Sequence, residues 1–297
     1  MSIKTNYNTQ VFLELLRTGL WEKEIRPLRF DGIDYEVIYQ LADSQAVVGL
    51  VAAGMEHIKG TSALRKDVMP FLSRVVALEQ RNAAMNSFIQ DLMGTIRSEG
   101  IECLLIKGQG IAQCYERPHW RAAGDVDLFL DSRSFEKAAL FLPSLASSND
   151  ENRPETKHFA MTIGPWEVEL HGTLRSQLGR RIDRVIDQVQ WDTFENRRFR
   201  VWKNGSTDVI LPGPDNDVFF VFTHILQHFL RGGIGLRQIC DWCRLLWTFR
   251  DDIDRPLLET RIRASGLFPE WKSFATFAVE YLEMPEEAMP FYSASSR

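Results

Sequence analysis

Three acidic residues in the middle of the chain have the types and spacing to hold divalent metal ions. Asp125 and Asp127 stand two apart in Gly124-Asp-Val-Asp127, at the start of a short apolar run. Residues two apart in a β-strand face the same side, so both carboxylates project together, roughly 7 Å apart along the backbone. Magnesium prefers oxygen ligands and is commonly bound by one or two carboxylates plus substrate phosphates. Glu169, on a later predicted strand, is our candidate for a third ligand.

The order of the surrounding elements strengthens this interpretation. An Asp-x-Asp pair alone is weak, because such pairs often lie on solvated strand edges or in turns. Here a predicted strand at 102–106 is followed by Gly108, a short helix, the strand with the acidic pair, and later Glu169. A two-metal site polarises a phosphorus atom, activates the attacking oxygen and stabilises the leaving oxygen. The middle of the chain therefore predicts metal-dependent chemistry at phosphates.

The elements that must position these residues predict an α+β fold, with a small mixed β-sheet core flanked by N-terminal and C-terminal helical regions. Apolar periodicity predicts helices before residue 98, including a long one starting near Pro70. It also predicts paired strands at 158–163 and 166–171 across a Gly-Pro turn. The expected ranges are 1–98 (N-terminal helices), 99–212 (α/β core) and 213–297 (C-terminal helices). Shorter strands are predicted at 199–202 and 209–211, and C-terminal helices at 217–230, 236–250, 255–265 and 271–282.

Two segments carry a resemblance to a known family. Segment 107–130, which begins Lys-Gly, and segment 169–171, Glu-Leu-His, resemble an uncharacterised nucleotidyltransferase family of the polymerase-beta-type nucleotidyltransferase superfamily. In that superfamily a glycine, usually followed by serine, opens a helix after the first core strand and contacts the triphosphate. Gly108 matches the glycine, but Gln109 stands where the serine hydroxyl would be. Arg121, before the Asp-x-Asp strand, also matches the family pattern.

The resemblance implies a metal-dependent site that binds a nucleoside triphosphate such as ATP. It implies that Asp125, Asp127 and Glu169 are the catalytic residues and hold Mg²⁺ or Mn²⁺. A glycine permits close backbone approach to a phosphate, a helix N-terminus favours anions, and an arginine can grip phosphate with two N–H groups. The expected nucleotide-binding residues are Lys107, Gly108, Gln109, Arg121, Gly124, His228, Arg237 and Asp241.

Structural roles remain open for several of these residues. Lys107 can instead extend from a strand end into solvent, and Arg121 can form a structural pair with an acid. His224 and His228 share one helical face and resemble part of a histidine-and-aspartate pattern of the family, but satisfied structural polar residues are an equal alternative. Cys240-Asp-Trp-Cys243 has redox spacing within a helical pattern, without a second pair for zinc.

Composition indicates the cellular compartment and excludes some kinds of binding partner. The net charge is -5 at pH 7, which argues against a grip on long nucleic acid. The four cysteines make no regular framework, which favours a reducing compartment. Residues 1–10 lack the apolar core of a signal peptide, and the longest apolar stretch, 218–230, is too short to span a bilayer. We therefore expect a cytoplasmic protein with no membrane partner.

The leading hypothesis is a transferase that moves a nucleoside monophosphate to a hydroxyl of a small molecule or a protein. A second hypothesis is a catalytically degenerate module of the same fold that binds a nucleotide or scaffolds a partner. The absent serine at Gln109 supports it, whereas three retained carboxylates count against it. A third, a metal-dependent phosphohydrolase, uses the same carboxylates with water as the acceptor.

Overall fold

A five-stranded mixed sheet carries the acidic residues and lies between two groups of helices. It is described here from a computed structural model over residues 7–23, 32–58, 65–149 and 157–294. The strand order is β1-β2-β5-β4-β3, where β2 and β5 are parallel and the other pairs are antiparallel. A separate antiparallel ribbon joins β6 and β7. The strands are β1 Leu104–Ile106, β2 Val126–Phe129, β3 Ser148–Asn149, β4 His158–Ile163, β5 Trp166–His171, β6 Phe199–Asn204 and β7 Thr207–Pro212.

Helices precede and follow the sheet in the described part of the chain, so the expected α+β fold with flanking helical regions is confirmed. None of these helices combines the length and the apolar character needed to cross a membrane. Short 3₁₀ turns lie at Pro118–Trp120, Leu142–Leu145 and Glu286–Ala288. The α-helices are α1 Tyr7–Trp21, α2 Tyr35–Ser44, α3 Val48–Met55, α4 Arg65–Ser98, α5 Gly108–Ala112, α6 Ser132–Phe141, α7 Arg180–Glu195, α8 Pro214–Arg231, α9 Leu236–Thr248, α10 Arg255–Ser265 and α11 Phe268–Leu282.

Most predicted helices differ from the observed ones by a few residues at their ends, and two differ more. α4 begins at Arg65 and contains Pro70, which was expected near its start. Pro70 removes one intrahelical hydrogen bond and its ring crowds the carbonyl of Lys66, but only the first turn of the helix lies before it. α7 was not predicted, although Val185, Ile186 and Val189 form a buried stripe at helical spacing. Its many charged residues hide this stripe in the sequence.

The two faces of the sheet bury different cores. Leu105, Val126 and Leu128 contribute to a core that also includes Met85 and Ile89 of α4. The residues between them point the other way, into a larger core of helices from both ends of the chain. That larger core takes residues from all three predicted ranges, whose boundaries remain a prediction. The acidic residues lie on this second face, which brings them towards α8 and α9.

The first helix, α1, packs against α3, which is near it in the sequence, and against α11, which is distant in the sequence. α1 and α3 pack so closely that a Cβ on Gly19 would lie 1.9 Å from the carbonyl oxygen of Leu50. At its other side, α1 contacts the C-terminal end of α11. The Nε of Arg17 donates to the Tyr281 carbonyl at 2.7 Å, and the indole N–H of Trp21 donates to the Leu282 carbonyl at 2.6 Å.

Candidate active site

The sheet register places the three carboxylates side by side. Asp127 of β2 is the direct partner of Glu169 in β5, and it also faces Ile106, the last residue of β1. Asp125 immediately precedes β2 and projects to the same side as Asp127. One ligand oxygen from each of the three carboxylates lies within 4.8 Å of the others. The structure therefore assembles the acidic cluster that the sequence suggested.

Two basic side chains share one oxygen of Asp127. The Nζ of Lys107 donates to Asp127 Oδ1 at 2.9 Å, and the Nε2 of His171 lies 2.8 Å from the same atom. Burial alone would raise the pKa of Asp127, but Lys107 and His171 outweigh it and hold that pKa well below its usual range. Burial lowers the pKa of His171, but hydrogen bonds to Asp127 and Glu169 give a net rise.

The other two carboxylates have opposite pKa shifts. Burial, followed by the charge of Asp127, raises the pKa of Asp125. Hydrogen bonds from His158 and then His171 lower the pKa of Glu169 to about 2. At neutral pH Asp125 is the least well compensated member of the cluster, because its neighbours are mainly anions. An added cation would relieve this repulsion most strongly at Asp125.

The donor set fits a hard divalent cation. Magnesium is bound at 2.0–2.1 Å in octahedral geometry, so that opposite ligands are about 4.1 Å apart. The three carboxylate oxygens lie within 4.8 Å of one another, so small side-chain rotations would bring them to such a spacing. Asp125, Asp127 and Glu169 are therefore the residues that would hold Mg²⁺ or Mn²⁺.

The backbone turns sharply between β1 and α5, next to the cluster. Lys107 has φ +55° and ψ -144°, an uncommon conformation for a residue with a side chain. Gly108 follows with φ +39°, and a Cβ there would lie 3.4 Å from the carbonyl oxygen of Asp125. This turn directs the Lys107 ammonium group onto Asp127, whose pairing supports the conformation.

A cavity of about 240 Å³ brings most of the expected nucleotide-binding residues to the carboxylates. α8 contributes His224 and His228, four residues apart on one face, with ring centroids 4.4 Å apart. α9 contributes Arg237, whose Nη1 donates to the Ala122 carbonyl at 2.9 Å. Of the expected residues, Lys107, Gly108, Arg121, Gly124, His228, Arg237 and Asp241 line this cavity together with the three carboxylates.

The side chain of Gln109 points elsewhere. It is buried, and its Nε2 donates to the Oδ1 of Asn82 in α4 at 3.0 Å. Asn82 in turn donates to the carbonyls of His119 and Arg121, at 2.7 and 2.8 Å. Asn82 therefore anchors the loop before β2 to α4, and Gln109 joins α5 to the same asparagine without lining the cavity.

Arg121 and Asp241 form a buried ion pair at the edge of this cavity. The Nε and Nη2 of Arg121 donate to the two oxygens of Asp241 at 2.8 and 2.7 Å. The hydroxyl of Tyr115 also donates to Asp241, at 2.8 Å. The side chains of Arg121 and Asp241 are 6% and 7% exposed. This geometry favours the structural alternative for the pair, with Asp241 positioning Arg121.

A larger cavity of about 1240 Å³ opens on the other side of Lys107 and Glu169. Its polar lining includes Lys157 of the loop before β4, and Asp187 and Gln190 of α7. Lys107, Glu169 and His224 are among the residues that line both cavities, so the two spaces meet at Glu169.

Sequence reasoning did not single out two histidines beside the carboxylates. His171 contacts Asp127 and Glu169, and His158 of β4 lies 3.2 Å from Glu169. The signal was available, because His171 stands two residues after Glu169 and must share its side of β5. Among the described residues, metal-ligating side chains come together only as Asp125-Asp127-Glu169 and His158-Glu169-His171.

Comparison with known proteins identifies a family. No curated protein matches the chain. A solved structure, the antigenic nucleotidyltransferase-like protein from Paracoccidioides brasiliensis, is similar over 65% of this chain and 96% of its own, with 15% identity. Its TM-score of 0.32 is too low for any inference about this chain. The sequence family described as uncharacterised nucleotidyltransferase matches residues 31–283, in agreement with the resemblance of the two central segments. A match over most of the chain means that this protein belongs to the uncharacterised nucleotidyltransferase family.

Proposed function

We propose that this protein is a magnesium-dependent nucleotidyltransferase that moves a nucleoside monophosphate from a nucleoside triphosphate to a hydroxyl of a small molecule or a protein. The observation that carries the proposal is the convergence of Asp125, Asp127 and Glu169 within 4.8 Å, at the junction of two cavities. When bound there, the metal supplies positive charge beside the phosphate oxygens and lowers the pKa of a coordinated hydroxyl.

Residues of the smaller cavity would bind the triphosphate. Lys107 is half-buried and within reach of both Asp127 and the cavity, so its ammonium can pair with a phosphate oxygen. Gly108 allows close approach of the backbone to that phosphate. Arg237 adds a second positive charge from α9. Together they offset the phosphate charge that the carboxylates would otherwise repel.

The structure favours a ligand role for Glu169 over a proton-accepting one. A carboxylate with a pKa lowered to about 2 is a weak base, because His158 and His171 already stabilise its charge. We therefore assign Glu169 to holding metal and orienting the acceptor. The acceptor proton must then leave to another base or to solvent.

The larger cavity would hold the acceptor. Its volume of about 1240 Å³ exceeds the 300–1,000 Å³ that is typical of small-molecule sites. It therefore has room for an acceptor together with part of the nucleoside. Hydrogen-bonding groups from Ser132, Thr173 and Gln190 line it, which suits an acceptor rich in hydroxyl groups. The net negative charge of the chain still argues against long nucleic acid in this space.

Asp125→Asn provides the sharpest test, because it should remove metal and nucleotide binding without destabilising the free protein. The pKa of Asp125 is raised by burial and neighbouring anions, so a neutral amide should leave the free protein as stable as the wild type, or more stable. Thermal unfolding is measured with each nucleoside triphosphate plus magnesium. Ligand at 100 times its Kd stabilises the wild type by about 2.7 kcal/mol, and the variant should lose most of this gain.

Product formation then tests the transfer itself. α-Labelled nucleotide is incubated with a panel of hydroxyl acceptors, and labelled product and pyrophosphate are followed. Asp125→Asn and Asp127→Asn should abolish transfer. Glu167→Gln, an exposed neighbour on the same side of β5 that lines neither cavity, is the matched control and should remain active. Full activity of the Asp125 and Asp127 variants would refute the proposal.

One observation favours the binding module as a second candidate. Gln109 has no hydroxyl to offer a phosphate, and its buried amide is already bonded to Asn82. Nucleotide-dependent stabilisation without product across the whole acceptor panel would support this alternative. Release of nucleoside monophosphate without any acceptor would instead support the phosphohydrolase.

A further inference from the structure

Two imidazoles converge on one oxygen of Glu169 at the wall of the larger cavity. His158 and His171 are direct partners across the antiparallel β4–β5 pair, with ring centroids 5.0 Å apart. The Nε2 of His158 lies 3.2 Å from Glu169 Oε2, and the Nε2 of His171 lies 3.4 Å from the same oxygen. The ligand atoms of all three lie within 4.8 Å of one another.

Two of these spacings, those between each histidine and Glu169, match those between the ligands of a tetrahedral zinc ion. Zinc binds imidazole nitrogen at 2.0–2.1 Å and carboxylate oxygen at about 2.0–2.2 Å, which puts neighbouring ligand atoms about 3.3–3.4 Å apart. Both histidine–glutamate distances are close to that value.

We propose that His158, Glu169 and His171 form a second metal site, for a borderline divalent cation of the zinc type. Two imidazoles and one carboxylate suit zinc, whereas magnesium prefers oxygen ligands. All three residues line the larger cavity, so a fourth position would be open to water or a substrate oxygen, as in zinc sites with three protein ligands.

The second site differs from the carboxylate cluster but touches it. Asp125 and Asp127 belong only to the oxygen cluster, His158 and His171 only to the imidazole group, and Glu169 to both. The two sites therefore have one carboxylate in common. This inference is independent of the proposed transfer, because binding of the second metal needs no nucleotide.

Cobalt(II) serves as the probe, since it replaces zinc and reports its coordination by visible absorption. Metal-stripped full-length protein is titrated with Co²⁺ in excess Mg²⁺, without nucleotide, and Zn²⁺ is then added. We expect one Co²⁺ per chain with the spectrum of a four- or five-coordinate ion, displaced by Zn²⁺ but not by Mg²⁺. His158→Gln should weaken binding by about tenfold or more, since even indirect partners of metal ligands contribute 10–100-fold.

Two variants locate the ion. Asp125→Asn removes a carboxylate from the magnesium cluster only, and His119→Gln removes a histidine outside both metal-ligating groups. Both should bind Co²⁺ like the wild type. The His158 side chain is 44% exposed, so its variant should keep the wild-type melting temperature without metal. The proposal is overturned if wild type gives no coordinated Co²⁺ spectrum, if His158→Gln binds as wild type does, or if Asp125→Asn abolishes binding.

Discussion

Neutralising Asp241 should destabilise the protein strongly, because it would leave a buried guanidinium group without a counter-charge. Asp241→Asn keeps the shape of the side chain and an oxygen for the Tyr115 hydroxyl. It removes the negative charge that two Arg121 N–H groups contact at 2.8 and 2.7 Å, in a pair that is at most 7% exposed. Breaking a buried ion pair on one side costs about 3–5 kcal/mol.

This loss can be read as a shift in melting temperature. The entropy of unfolding is roughly 2.1 cal/mol/K per residue near 60 °C, hence about 0.6 kcal/mol/K for 297 residues. The expected decrease is about 5–8 °C by calorimetry. Asp208→Asn is the matched control, because Asp208 is 47% exposed and pairs with a 79% exposed Lys203. An exposed pair contributes about 0–1 kcal/mol, so this variant should melt within about 2 °C of wild type.

A double variant tests the cause of the loss. Arg121→Met with Asp241→Asn removes both charges of this buried pair. The Ala122 carbonyl loses its bond from Arg121 but keeps the one from Arg237. It should recover most of the lost stability, as neutral replacements of buried pairs often do. The reasoning is refuted if Asp241→Asn melts within 2 °C of wild type, or if the double variant is no more stable than the single one.

Three further predictions concern packing, pH and thiols. Gly19→Ala should destabilise the protein by about 1–3 kcal/mol, because its methyl group would lie 1.9 Å from a backbone oxygen of α3. Gly94→Ala, which has open space around it on α4, should instead stabilise the protein by about 0.5–1 kcal/mol. Urea unfolding compares the two variants, and equal effects would contradict the close packing of α1 on α3. Burial would raise the pKa of Asp192, but hydrogen bonding by Asn196 and pairing with Arg261 give a net decrease. The stability advantage of wild type over Asp192→Asn should therefore be full above the ordinary pKa of 3.8 and shrink as the pH falls below it. Urea unfolding at pH 6 and pH 3 measures this advantage, and a constant value would refute the prediction. The four cysteines are buried and their thiol pKa values are raised by burial, so a thiol reagent should label them only on unfolding; rapid labelling of the folded protein would show that they are accessible.

The sequence was most informative where local rules decide the structure. The paired strands β4 and β5 have the predicted bounds, because strict alternation and a Gly-Pro turn fix their register. Asp125 and Asp127 share one side for the same reason. The family resemblance is confirmed by the match over residues 31–283.

Contacts between distant segments could not be read from the sequence. Asp241 was expected at the nucleotide, yet its oxygens accept bonds from Arg121, 120 residues away. Gln109 follows Gly108, the glycine expected to bind phosphate, but its hydrogen bond to Asn82 on α4 holds its side chain away from the cavity. Both depend on how helices pack against the sheet, which spacing along the chain does not determine. His158, by contrast, was within reach of sequence reasoning, because the predicted pairing of β4 with β5 already places it opposite His171.

The attachment of α1 to α11 has a consequence for biosynthesis. The hydrogen bonds from Arg17 to Tyr281 and from Trp21 to Leu282 span 264 and 261 residues. At about 5–20 residues per second, a ribosome needs roughly 13–50 s to deliver the second partner of each bond. Through that interval α1 can pack only on nearby elements such as α3, and the surface that α11 later covers stays exposed to solvent and to chaperones. The first helix to emerge is thus among the last to be completed.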